Sequence, residues 1–225
     1  MSCAVIYSAG NETTADLSGI EARRISRPKW ARDMDYPDKY KAQLLYAIHS
    51  IDLSKVSHVI EIFKSARAHG RRIFVCGSDT TDVMASQSLC EIVRGVNYNQ
   101  SSRFRILALS NEFSKFSEKS GDSTRDRVFV EQLKNFAEPE DVVIGMCSSG
   151  NSRNVVNAIE YAFWIGCRTI AITGRDGGKL AGLAELNIHV PVSHLGSIGD
   201  AHLVICHMIG YYFVDSEPFQ EQQGA

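Results

Sequence analysis

The chain has 225 residues, 44% of them apolar and 22% charged, with a formal net charge of −2. These are ordinary globular proportions, enough for one domain with a well-filled core, and the near-neutral balance gives no electrostatic footing for nucleic acid or a lipid surface. No run approaches the length needed to cross a bilayer, and the start lacks a basic stretch followed by an apolar one, so a soluble cytoplasmic protein is expected. The six cysteines (Cys3, Cys76, Cys90, Cys147, Cys167, Cys206) are scattered with no C-x-x-C pair, which argues against a disulfide frame or thiolate zinc site and for reduced, packed thiols.

Residues 1–35 show no sustained period and carry Arg23, Arg24, Arg27, Lys29 and Arg32 around Pro28. They are expected to form an extended arm. From Pro37 the pattern turns helical: Tyr40, Leu44, Leu45, Ile48 and Ile51 make one stripe, and Val56, Val59, Ile60, Phe63 and Ala66 a second, capped by Asp52 or Ser54 and ending at Gly70. Two helices before any strand have little sheet to cover, which suggests a bundle or a contact between subunits. Strands are predicted at Arg72–Cys76, Phe104–Leu109, Val142–Met146, Arg168–Thr173 and Asn187–Val192, with helices after each. The polar, Ser-rich stretch Asn111–Thr124 is long for a loop and is a candidate lid. The last helix runs from about Ile198 to Val214, and residues 217–225 read as a tail. Strict alternation of strand and helix implies an α/β fold, a three-layer doubly wound sheet of five parallel strands preceded by two helices.

The most informative stretch is Asp141-Val-Val-Ile-Gly-Met-Cys-Ser-Ser-Gly-Asn-Ser152, which runs into the helical spacing of Val155, Val156, Ile159 and Ala162. Its turn lies between the C-terminal end of a strand and the N-terminus of a helix, where unpaired N–H groups and the helix dipole favour an anion. Such a turn also serves as an ordinary Ser/Asn cap. The density of hydroxyls from Ser148, Ser149 and Ser152 around one glycine favours a phosphate cradle. The turns Ser78–Thr81 and Thr173–Gly178 fall at the same end of the sheet, where ligands bind in such folds.

Glu91, flanked by Leu89, Cys90 and Ile92, is either paired, Arg94 being the nearest choice, or held at a raised pKa for proton transfer. His207 lies among apolar residues of the last helix, as a core histidine or a catalyst. His202 is the weaker candidate. Asp200, three residues after Ser197, looks like half of a capping box.

Taken together, these segments resemble the sugar isomerase (SIS) domain family, most closely the bacterial phosphoheptose isomerases, over roughly Pro37 to Val214. The phosphate-loop run, Gly77 through Ile92, Asp126-Arg-Val-Phe129 into Glu138–Asp141, Thr169–Gly178, and Ile198-Gly-Asp-Ala-His202 through His207 agree in order and spacing. The resemblance implies aldose–ketose isomerisation of sedoheptulose 7-phosphate through an enediol. It implies Glu91 as base, His207 as second proton-transfer residue, Ser148, Ser149 and Ser152 on the phosphate, and Asp126 on the sugar; Ser78 and Asn151 line the same turns. It implies a homotetramer with pockets completed by neighbouring chains.

The departures are specific. The family's helical His is Gln87 here and its Gln before the last helix is Gly199, so two of the four zinc ligands of metal-binding relatives are missing. Glu91 and His207 alone are too few for a firm site, and zinc is expected to be absent or weak. The family's Gly-Asn-Gly-Gly-Ser turn is Gly77-Ser-Asp-Thr-Thr81, an Asp before the last helix is Gly196, and the first Ser of the phosphate loop is Cys147. A kept phosphate end and an altered sugar end leave a second reading, a non-catalytic phosphosugar-binding or regulatory module. An FMN-binding fold is set aside because its phosphate loop follows the first strand.

Overall fold

The computed structural model describes residues 35–97, 102–110 and 125–216. The arm, the candidate lid at 111–124 and the tail therefore lie outside the described residues, apart from Asp35. Helices α1 (Tyr36–His49) and α2 (Leu53–Ala68) precede β1 (Arg72–Gly77) and α3 (Thr80–Gly95). Then follow β2 (Arg105–Ala108), α4 (Val128–Phe136), β3 (Val142–Cys147), α5 (Arg153–Trp164), β4 (Arg168–Gly174), α6 (Leu180–Leu183), β5 (Leu186–Val190) and α7 (Leu195–Ser216).

All strand pairs are parallel, in the order β2-β1-β3-β4-β5. This is the flavodoxin-like order, and its direction of winding reverses between β1 and β3, which opens a crevice beyond their C-terminal ends. Side chains alternate across the sheet. Ile73, Val75, Ile144, Ile172 and Ile188 pack with Val56, Phe63, Leu89 and Ile205 on one face. Phe74, Cys76, Val143 and Ala171 pack with Phe129, Leu133, Ile159 and Leu180 on the other. So α2, α3 and α7 form one outer layer and α4, α5 and α6 the other. Because β3 is central and covered on both faces, all six of its residues are buried, which is why it reads as an unbroken apolar run.

Two expectations about individual elements need correction, and one open choice is decided. The helix α2 does have sheet to cover: it lies against β1 and β5, and burial of Phe63 alone contributes about 2–3 kcal/mol. Only α1 is displaced from the sheet, onto α7. Asp52 is the cap of α2, accepting from the N–H of Ser54 and Lys55. At α7 the capping box does not form, because His194 Nδ1 accepts from the Ser197 N–H and Asp200 instead binds Tyr40. The five described cysteines are free and buried. Among the described residues no helix is long and apolar enough to cross a membrane.

Candidate active site

β3 delivers Cys147 to the crevice, and the chain turns through Ser148–Ser152 into α5. Ser152 occupies the N-cap with extended backbone but makes no side-chain capping bond; its hydroxyl instead accepts from the Cys147 thiol at 3.2 Å. The first turn of α5 is thus left open to an external anion. The turn is braced from the opposite side by Gly177 and Gly178. Gly150 has φ 66°, and a Cβ there would stand 1.9 Å from the Gly177 carbonyl oxygen, so only glycine fits. Asn151 closes the brace, donating to the Ser149 carbonyl and accepting from the Lys179 N–H. Its amide therefore shapes the loop.

Around Cys147, burial pushes the thiol up, but its hydrogen bonds with Ser149 and Ser152, whose hydroxyls can turn to donate to a thiolate, outweigh it and hold the group below its ordinary pKa. Ser78 Oγ is buried and closes no well-formed hydrogen bond, though it stands near enough to Cys147 to favour the thiolate. Asp126 sits over the start of α5, paired with Arg153 at 3.4 Å and held by Asn157. Arg153 is 81% exposed, a cation at the rim.

Ser148 faces inward. Its N–H and hydroxyl both donate to Asp82 Oδ2, at 3.1 and 3.3 Å, while Asp82 Oδ1 lies 2.7 Å from His202 Nδ1. Asp82 and His202 are completely buried. Sequence reasoning passed over this pair, although a signal was there. Asp82 stands in the buried stripe Asp82–Ala85–Leu89–Val93, and His202 in the stripe Ile198–His202–Ile205–Ile209, on two helices packed side by side. A carboxylate and an imidazole on facing apolar stripes need partners, and each is the other's.

His207 lies farther along α7. Its Nε2 is 3.1 Å from Ser88 Oγ and its ring meets the edge of Tyr211. Glu91, one turn past Ser88, is exposed. Among the described residues it makes neither the ion pair with Arg94 nor any other hydrogen bond, and Arg94 turns back to the Cys90 carbonyl. The structure thus places Glu91 and His207 on one α3–α7 surface. It does not bring Glu91 to the phosphate loop of its own chain: Asp82 is level with Ser148, and Glu91 follows nine residues later, about 13 Å along the helix.

The residues do not fit the zinc site of metal-binding relatives. Gln87 is exposed and carries no imidazole. Position 199 has no side chain, and a Cβ there would be 2.6 Å from Thr81 Oγ1, so Thr81 fills that space. Among the described residues no three His, Cys, Asp or Glu side chains converge as a metal site.

The model of the SIS domain matches residues 36–174, more than half of the chain. The chain belongs to the SIS-domain family. It is 34% identical over 158 residues to the phosphoheptose isomerase of Aliarcobacter butzleri, covering 70% of this chain and 81% of that one. To the phosphoheptose isomerase of Geotalea daltonii it is 30% identical over 155 residues, with 69% and 80% covered. Its fold is that of the phosphoheptose isomerase structure from Neisseria gonorrhoeae, with TM-score 0.70, 24% identity and 80% and 97% of the two chains covered. The kinship indicated by the sequence motifs is borne out, and with it the doubly wound SIS architecture.

Proposed function

We propose that this SIS-domain protein is a phosphosugar aldose–ketose isomerase whose substrate class is that of sedoheptulose 7-phosphate. The observation that carries the reading is the open first turn of α5, rimmed by Ser149 and Ser152 and braced through Gly150. A phosphate held there anchors the sugar, and this remote binding energy positions the reacting carbons. Glu91 removes the proton alpha to the carbonyl, and His207 moves a proton between the oxygens of the enediol.

The separation of Glu91 from its own loop supports a pocket shared between chains. On α3, Met84 is 62% exposed on the same outer stripe as Gln87 and Glu91, and Leu45, Tyr46 and Tyr211 are uncovered on the adjoining helices α1 and α7. A neighbouring chain of a homotetramer docked on this layer covers the apolar residues and brings its own phosphate loop to Glu91 and His207. The cellular location consistent with a diffusible sugar phosphate is the cytoplasm.

Incubation with sedoheptulose 7-phosphate in deuterated water, followed by NMR, tests the reading: deuterium should enter at the carbon next to the carbonyl as aldose appears. The altered turn Ser78–Thr81, with Thr81 filling the space at Gly199, favours a second reading, a phosphosugar-binding module without turnover. Binding with no exchange of that proton would establish the second reading over the first.

A further inference from the structure

Asp82 joins three parts of the molecule with one side chain. It belongs to α3, it receives His202 of α7 on Oδ1, and it receives the N–H and hydroxyl of Ser148 on Oδ2. An ionised carboxylate has only acceptors, so in the ion-paired form of this contact the hydrogen of the third bond lies on Nδ1 of His202. His202 Nε2 is buried with no partner. The imidazole is therefore held through a single point, Asp82. Ser148 is the first residue of the phosphate loop, and α3 and α7 carry Glu91 and His207.

We propose that Asp82 is a positioning residue that sets the phosphate loop against the α3–α7 layer, so that a ligand anchored at the loop finds the proton-transfer groups at one fixed separation. This deepens the isomerase reading and rests on it. In a symmetric assembly the same buckle, repeated in every subunit, fixes both halves of each shared pocket. The ligand itself touches other groups, the hydroxyls of Ser149 and Ser152 and the N–H groups of α5. Loosening the buckle thus leaves the anchor intact and blurs the distance from anchor to base.

The test compares Asp82→Asn, His202→Leu and His202→Asn with the parent. Asp82→Asn should lower kcat on sedoheptulose 7-phosphate about ten- to a hundredfold, the cost of misplacement on the ångström scale, while inhibition by inorganic phosphate changes less than about threefold. His202→Leu should do the same without touching the loop. His202→Asn, which puts an N–H where Nδ1 stood, should recover most of the turnover lost in His202→Leu. Independently of turnover, amide hydrogen exchange over residues 148–152 should rise about tenfold or more in His202→Leu, because local opening is no longer opposed from α7. Unchanged exchange there overturns the proposal, as does phosphate affinity that falls in step with kcat. Should Asp82→Asn fail to fold, the two His202 variants decide by the same criteria. If the parent turns over no ketose phosphate, the isomerase reading fails, and the exchange measurement still judges the buckle.

Discussion

Tyr40 donates its phenolic hydrogen to Asp200 Oδ2 across 2.6 Å, fastening α1 to the first turns of α7. The hydrogen bond, with burial and the carboxylate's charge, pushes the phenol up to about 12. Because the folded value lies above the unfolded one of about 10, the stabilisation is complete below pH ~10 and is lost as pH rises through the folded value. Tyr40→Phe should therefore cost about 1 kcal/mol at neutral pH. In urea unfolding the gap to the parent should close as pH climbs from 10 toward 12. The ring contact with His194, edge-on at 5.3 Å, is kept in Tyr40→Phe, so a gap that persists unchanged would show that the loss does not come from the hydrogen bond to Asp200.

The open turn of α5 makes a binding prediction. Ser149→Ala and Ser152→Ala should each weaken sedoheptulose 7-phosphate binding by about 1–3 kcal/mol, the loss of one hydrogen bond to a charged group. Calorimetric titration measures this directly. Unchanged affinity in both variants removes the anchor on which the functional reading stands.

Proton transfer predicts a different signature. Glu91→Gln preserves size and removes basicity, so kcat should fall about 10²–10⁴-fold with phosphosugar binding largely kept. His207→Asn should behave alike, and the two losses should not add, since neither residue completes the reaction alone. If instead both variants merely lower the melting temperature and turnover by the folded fraction is normal, these residues are structural.

Metal content is predicted from positions 87 and 199. Protein purified without added metal should contain far less than one zinc per chain by elemental analysis, and chelator treatment should leave turnover unchanged. Stoichiometric zinc would show that groups from neighbouring chains had been recruited.

The fold was legible because periodicity reports burial: β3 and α5 could be read from Val142–Met146 and Val155–Ala162 alone. The phosphate loop was legible because its chemistry is local to one turn. What could not be read was pairing across distance. Asp82 and His202 lie 120 positions apart, and each stripe by itself shows only one polar interruption. Glu91 reads as buried from its neighbours Leu89, Cys90 and Ile92, but Cys90 faces inward and Glu91 turns outward. One helical position separates the two outcomes. Whether α2 covers a sheet likewise depends on which strands meet, and the order of strands is not a property of any one segment.

The contact of Thr81 with Gly199 limits how this site can change. Any side chain placed at 199 meets Thr81 Cβ as well as its hydroxyl, so shortening Thr81 to serine or alanine is not enough to admit one. A glutamine at 199 must therefore wedge α3 and α7 apart, and the Asp82–His202 bond spans the same two helices one residue and three residues away. A side chain introduced at 199 would therefore strain the buckle as well as the helix interface. Positions 81 and 199 are thus coupled through the spacing of α3 and α7, and a side chain at 199 cannot be accommodated at this interface without also disturbing the bond that joins the phosphate loop to both helices.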